Sequence, residues 1–355
     1  DMIGALDAAA AFGAFPASVR WHEPLDGRLP PGHIAISSET RELSAASAYR
    51  RTMALAGTTL VGGLPFKKFD SLLRGNVGAE IAACLGATGF ATAVIAPAAP
   101  RMGRVTRGGR QYWTGPRGNE NILIPVDIVA CLKRYGIDAR LARPGAAITP
   151  GVTIFDAEID ADLGEIVRQG RASALDLLWC GTSGLARALG ADNKRSIAVP
   201  PGPILGIVGT GHAVIQAQIE ALASAATEII IPVRPVLGAL GAVVRRVDRR
   251  TRSGQSSLVH VAGASHGAAA VQVILEGLGN SLARPQAAFV SAGETCRIVC
   301  DTLGSTELEL QGEYLPGVAL SRMLGGRWGG VPLYSKSGAF GDRTTLLKLY
   351  GISEE

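Results

Sequence analysis

Aromatic residues make up only 5% of this 355-residue chain, and charged residues only 18%. The charge fraction lies below the roughly 25% usual for soluble domains, and no long acidic or basic tail is present. No apolar run reaches the ~18 residues of a membrane-spanning helix, because Pro, Gly or Arg interrupts each candidate. No basic-then-apolar signal peptide opens the chain either. The first residues, "DMIGALDAAAAFG", read instead as a start cut into the middle of a motif. The five cysteines (Cys84, Cys131, Cys180, Cys296 and Cys300) are odd in number, scattered and free of any CxxC pair. They are expected to be reduced, mostly buried thiols in a cytoplasmic protein. Cys296 and Cys300 fall four apart on a predicted helix, but no histidine lies near them in sequence, so no metal site is expected.

The common nucleotide signatures are missing too. The sequence has no G-x-x-x-x-G-K-[ST], and "GTGHAV" fails the third glycine of the dinucleotide fingerprint. These absences argue against a P-loop enzyme and against a Rossmann dehydrogenase.

What is abundant is small and aliphatic: 46 glycines and 47% hydrophobic residues. That is the profile of an α/β protein whose strands are covered on both faces. At ~150 residues per domain the length suggests two domains, each able to bury its own core. The net charge of +5 fits anionic small molecules as well as nucleic acid. The one dense basic run, Val243 to Gln255, reads as a solvated turn or loop.

Short β-branched runs alternate with helix-forming stretches along the whole length, the signature of βαβ units. "HIAIS", "TAVIAP", "LLWCG", "ILGIVGTG", "EIIIPV", "SLVHVAG" and "AAFVSAG" are the predicted strands. Pro200, Pro201 and Pro203 stiffen one connection and place a domain boundary there, giving domains 1–199 and 200–355. Three junctions carry a strand straight into a helix through small residues: "WCGTSGLARAL", "IVGTGHAVIQAQ" and "FVSAGETCRIV". Glycine allows close approach of a ligand, and unpaired amides at a helix start suit phosphate. Plain tight turns look the same.

"VAGASHGAAAV" fits the G-x-S-x-G nucleophile elbow, with Ser265 as nucleophile. That fold expects its histidine later in the chain, and none follows His266. A hydrolase is therefore disfavoured.

"KKFDSLLRGNVGAEI" concentrates charge where a strand-like approach gives way to a helix. Asp70 or Ser71 as an N-cap is the plain structural account. It leaves Lys67, Lys68 and Arg74 unexplained, because cations at the positive end of a helix cost energy unless an anion joins them. "APAAPRMGRVTRGGRQYW" adds Arg101, Arg104, Arg107 and Arg110 in a Pro/Gly-rich loop after a strand, read equally as a solvated loop or part of a site.

Taken together, these elements resemble the four-carbon acid sugar kinases, which phosphorylate tetronates (threonate, erythronate or 3-oxo-tetronate) with ATP. That family opens roughly Ala-Asp-Asp-Leu-Thr-Gly-Ala-Leu-Asp, and "DMIGALD" matches from its second aspartate, aligning Asp1, Gly4, Ala5 and Asp7. "SSETRELS" resembles its Asp-Thr-Glu-Ser-Arg element and brings in Arg41. "KKFDSLLRGN" is nearly its Lys-Lys-x-Asp-Ser-x-Leu-Arg-Gly-Asn motif, and "APAAPRMGR" resembles its Ala-Pro-Ala-Phe-Pro-x-x-Gly-Arg loop. "GTSGLA", "AGET" and "KSGAFGD" complete the series in order, so the resemblance covers essentially the whole chain.

The resemblance implies two α/β domains with mostly parallel sheets and a ligand cleft between them. The N-terminal domain would bind the acid sugar and the C-terminal domain ATP, with Mg²⁺ on the phosphates. It assigns Asp1, Arg41, Lys68, Asp70, Ser71 and Arg74 to the substrate. A carboxylate within hydrogen-bond reach of the attacking hydroxyl could accept its proton, so Asp70 or Asp1 is the candidate catalytic base. Thr210, Gly211, Ala292, Gly293, Glu294, Thr295 and Gly338 go to ATP. The partner is then a small sugar acid, with neither nucleic acid nor membrane involved, and a homodimer is the assembly left open. Two departures stand out: "GTGH" replaces the family's Gly-Ser-Cys-Ser, and "AGET" replaces its Gly-Gly-Glu-Thr. They keep a second reading alive, a catalytically silent sugar-acid or nucleotide-binding relative acting as sensor or partner protein. His212 would cap its helix or donate to a phosphate.

Overall fold

The fold is drawn from a computed structural model. The structure describes residues 1–13, 16–21, 32–115, 120–190, 197, 202–233, 240–261, 267–278 and 283–353. The boundary expected at 199/200 and the Ser265–His266 elbow lie outside the described residues.

The chain divides into two compact units, and both are α/β. The first takes in most of residues 3–194 and the second residues 15–22 together with 195–355. In the first unit, five strands pair in the order Phe66–Lys68, Leu177–Gly181, Thr92–Ala96, Gly151–Phe155, Ala139–Ala142, and every pairing is parallel. Thr92–Ala96 and Leu177–Gly181 are buried along their whole length, as strands covered by helices on both faces must be. Ile81, Ile95, Ile128, Leu132 and Ile154 build the core on one side. Val94, Phe155, Ile166, Trp179 and Leu185 build it on the other.

The stretch after Thr92–Ala96 is more ordered than a Pro/Gly-rich loop. A single 3₁₀ turn, Pro100–Met102, leads into a hairpin of Arg104–Arg107 and Arg110–Thr114, extended by Asn121–Leu123. The tight Gly108–Gly109 turn, with both φ values positive, closes the hairpin.

In the second unit the strand order runs Ile230–Val233, Ser257–Val261, Ile204–Val208, Ala287–Ser291, Pro332–Lys336, Val318–Leu324, Glu307–Leu315, Ala17–Arg20. The first five are mutually parallel and the rest are added antiparallel. Val208, Ile215, Leu222, Phe289, Tyr334 and Leu346 form a core on one face.

The basic run is not a loop. Its arginines lie in the helix Leu240–Arg252, where Arg252 pairs with Asp248 one turn earlier at 2.8 Å, and only residues 253–255 follow as a turn. Three arginines in the last turn face the negative end of the helix dipole, which favours them there. All five cysteines are free, and four are buried, with Cys131 half-buried. Among the described residues no helix is long and apolar enough to cross a membrane.

Candidate substrate and nucleotide sites

The charged cluster of the first unit hangs from the carboxyl end of the strand Phe66–Lys68. Phe69 anchors the exit by burying its ring and donating its amide to the Gly181 carbonyl at 2.9 Å. The chain then turns before the helix Val77–Thr88 begins, so Asp70 and Ser71 are not its N-cap. Asn76 holds that position, without a side-chain cap bond. The carboxylate of Asp70 instead closes its own turn, accepting the Leu72 amide at 3.0 Å.

Each residue of "RGN" has a geometric reason. Arg74 grips Asp70 twice, Nε to Oδ2 at 3.0 Å and Nη2 to Oδ1 at 2.7 Å. Gly75 has φ +87°, and a Cβ there would stand 3.3 Å from the Cα of Arg41, so glycine serves both the backbone angle and the close approach. Asn76 donates to the carbonyls of Thr40 at 3.0 Å and Leu43 at 2.9 Å. These contacts pin the "SSETRELS" segment against the turn and bring Arg41 into the cluster.

Arg41 bridges two carboxylates. It pairs with Asp1 through Nη1 and reaches Asp70 through Nη2 at 3.3 Å. Asp1 also caps the helix Met2–Phe12, accepting the Gly4 amide at 2.8 Å. Gly4 keeps space open, because a Cβ there would lie 3.1 Å from Asp1 Oδ1 and 3.7 Å from Lys68 Nζ.

The two lysines have parted roles. Lys67 pairs with Glu80 at 2.5 Å, and Glu80 also accepts from the Thr40 hydroxyl at 2.7 Å. Burial pulls the Lys67 ammonium down, but Glu80 outweighs it and the net shift is upward. Lys68 makes no ion pair among the described residues. Burial pulls it below the usual lysine range, against the opposing pull of Asp7 and Asp70. For Asp70 burial works upward, but the Arg74 bonds and the Arg74, Arg41 and Lys68 charges win and hold it at about 2.

Of the four loop arginines only Arg104 turns toward this cluster. Arg101, Arg107 and Arg110 pair with Asp160, Glu158 and Asp127. Arg104 donates to the Met102 carbonyl, while its buried Nε has no partner. Burial lowers it, and Asp70 and Arg74 are the charges it senses. Gln111 ties this hairpin to the turn, donating to the Ser71 carbonyl at 3.2 Å and the Pro97 carbonyl at 3.0 Å. Asp1, Arg41, Lys68, Asp70 and Arg74 thus come together. Ser71 stands in the same turn through its backbone. Arg104 and the Lys67–Glu80 pair are additions; Arg104 lies in the loop motif and Lys67 in the double-lysine motif, while Glu80 carries no sequence signal.

In the second unit, three loops leave the carboxyl ends of adjacent parallel strands, where open α/β sheets bind ligands. Thr210 and Gly211 follow Ile204–Val208, Ala292 to Thr295 follow Ala287–Ser291, and Gly338 follows Pro332–Lys336. Two of the loops touch: a Cβ on Gly338 would lie 2.9 Å from Thr210 Cγ2. The Ala292 amide donates to the Lys336 carbonyl at 3.0 Å. His212 caps the helix Ala213–Ala225, its Nδ1 accepting the Val214 amide at 3.2 Å. Ala292 sits at φ 83°, ψ 146°, a region otherwise close to glycine-only.

Residues 4–127 match the family described as a sugar-binding N-terminal domain, and residues 205–346 match the nucleotide-binding C-terminal domain. The chain is 28% identical over 330 residues to a D-threonate kinase of Cupriavidus necator, covering 79% of this chain and 78% of that protein. It is 25% identical over 387 residues to a D-erythronate kinase of Heliobacterium modesticaldum, covering 90% and 87%. The chain belongs to the four-carbon acid sugar kinase family.

A crystal structure from Salmonella typhimurium LT2 matches with a TM-score of 0.75 at 21% identity, covering 97% of this chain and 95% of that one. Haemophilus influenzae protein HI1011 matches with 0.72 at 16%, covering 99% and 97%. These likenesses show the fold. The five residues from Arg41 to Arg74 expected on the substrate side fall inside the sugar-binding match, and the seven expected on the ATP side fall inside the nucleotide-binding match. Against the four-carbon acid sugar kinase pattern, Ala292 stands at a position where the backbone angle explains the family's glycine.

Proposed function

We propose that this protein transfers a phosphoryl group from ATP to a hydroxyl of a four-carbon sugar acid: threonate, erythronate or 3-oxo-tetronate. The observation that carries the reading is the Arg41–Asp70–Arg74 array, with Lys68 and the unpartnered Arg104 Nε beside it. A guanidinium fork that holds a protein carboxylate in two places has the geometry to hold a substrate carboxylate. When the sugar acid enters, its carboxylate takes over one of the forks, and Asp70 exchanges an arginine for a substrate hydroxyl.

That exchange also addresses the acid–base problem. A carboxylate held at about 2 is a poor proton acceptor. Losing Arg74 to the substrate raises its basicity at the moment the attacking hydroxyl needs an acceptor. Asp1, still on Arg41, is the second carboxylate in reach of the cluster. Little covalent work falls to the protein in phosphoryl transfer; positioning and charge neutralisation carry the rate.

The nucleotide belongs to the second unit. The amides of Gly293, Glu294 and Thr295 open a helix of 11 residues, and Thr210, Gly211 and Gly338 line the neighbouring loops. Among the described residues no group of three acidic, His or Cys side chains could hold a metal ion. Mg²⁺ would arrive with ATP, held mainly by phosphate oxygens and water, as is usual for this ion. It would neutralise charge on the phosphates.

A second reading, a ligand-binding relative without turnover, is favoured only by the Gly-Thr-Gly-His junction, where His212 is committed to capping. Coupled ADP release with Mg-ATP and a panel of tetronates tests both. Turnover supports the kinase, and a thermal shift with a tetronate but no ADP supports the silent relative.

A further inference from the structure

The second unit buries a lysine that has no carboxylate partner among the described residues. Lys336 is 1% exposed, and its ammonium donates to the Ser337 carbonyl at 2.9 Å. No ion pair reaches it among the described residues. Burying an ammonium without a counter-charge costs stability, and burial alone pulls it down to about 8.

Its position suggests what compensates it. Lys336 is the last residue of its strand, in register with Ser291, which is in register with Val208. Residues in register on neighbouring strands point to the same face, so the ammonium and the Ser291 hydroxyl share one. Ser291 is fully buried and its Oγ has no hydrogen-bond partner. The loops that follow these three strand ends are Gly-Thr-Gly-His, Ala-Gly-Glu-Thr and Ser-Gly-Ala-Phe-Gly. The Ala292 amide bonds to the Lys336 carbonyl, and Gly338 packs on Thr210. An unpaired cation and an unpaired hydroxyl therefore lie at the root of three loops rich in backbone donors.

We infer that Lys336 is the phosphate-neutralising residue of the nucleotide site, with Ser291 as an additional donor to the same polyphosphate. The inference rests on the ATP reading and deepens it, supplying the cation that the missing P-loop lysine would otherwise provide. The lysine keeps its charge at a stability cost because the ligand is the counter-ion.

The test is calorimetry of ADP and ligand-observed NMR of adenosine with wild type, Lys336→Met and Lys336→Arg. We expect Lys336→Met to lose about a hundredfold in ADP affinity and to bind adenosine as wild type does. Its melting temperature without nucleotide should equal or exceed that of wild type, because an uncompensated charge has gone. Lys336→Arg should regain part of the ADP affinity. A folded Lys336→Met that binds ADP like wild type overturns the inference and leaves the nucleotide reading standing. Wild type that binds neither ADP nor ATP overturns that reading and this inference with it. Should Lys336→Met not fold, Ser291→Ala reads the same place: a loss for ADP of about fivefold, with adenosine unchanged, is expected, and equal ADP affinity contradicts the inference.

Discussion

Arg74 holds Asp70 through two contacts of 3.0 and 2.7 Å, one to each carboxylate oxygen, and Arg41 reaches the same carboxylate at 3.3 Å. The carboxylate is thereby bound to its own protein in the way a sugar acid would be bound to it.

Asp70→Asn should fold and lose turnover by about a hundredfold or more. Its stability deficit should depend on pH. The Asp70 carboxyl ionises at about 2 in the folded protein against 3.8 ordinarily. Its contribution, about 2 kcal/mol, is present above pH 4 and disappears as pH falls through 2. Urea unfolding of both proteins from pH 6 to pH 2 should show their difference shrinking on the acid side. A constant difference would mean that Asp70 is not held by its arginines.

Arg74→Lys keeps the charge and removes the fork. We expect KM for the sugar acid to rise ten- to a hundredfold, about 1.5–3 kcal/mol of charge-assisted bonding, with KM for ATP unchanged. Steady-state kinetics with each substrate varied in turn separates the two, and an equal rise in both KM values would point to general damage.

Lys67→Met strips Glu80 of its buried partner and should cost about 3–5 kcal/mol. The double replacement of Lys67 by Met and Glu80 by Leu should recover most of that loss, because an apolar pair replaces the ionic one. Chemical denaturation of the three variants closes the cycle. A double variant no more stable than Lys67→Met would show that the pair does more than satisfy its own charges.

Ala292→Gly relieves a backbone angle that only glycine adopts freely. The folded state should gain about 1 kcal/mol, visible as a higher melting temperature. No gain would mean that the surrounding contacts already favour the strained angle.

The sequence made much of this cluster legible, for physical reasons that can be traced. "KKFDSLLRGN" stood out because a charge-poor chain had concentrated its charge there, and the structure gathers Lys68, Asp70 and Arg74 at one strand end. All seven runs read as strands contain strands; four of them, Thr92–Ala96, Leu177–Gly181, Ile204–Val208 and Ala287–Ser291, are buried along their whole length, and such parallel strands leave a continuous apolar record. The division of labour between Lys67 and Lys68 was not legible. It depends on Glu80, a residue of the helix Val77–Thr88 that reads as a surface acid until the fold buries it. The basic run 243–255 reads as a loop because arginine-rich helices and loops share a composition; the i,i+4 pairing of Asp248 with Arg252 belongs to the helix. Lys336 looked like part of a loop motif, and its lack of a counter-ion is a tertiary fact.

The most direct test of the central claim is coupled ADP release from Mg-ATP with threonate, erythronate and 3-oxo-tetronate stereoisomers, run beside Asp70→Asn. The account predicts turnover on one acid and its near-complete loss in the variant. Wild-type silence across the panel with no thermal shift from any tetronate, or equal turnover by Asp70→Asn, would contradict it.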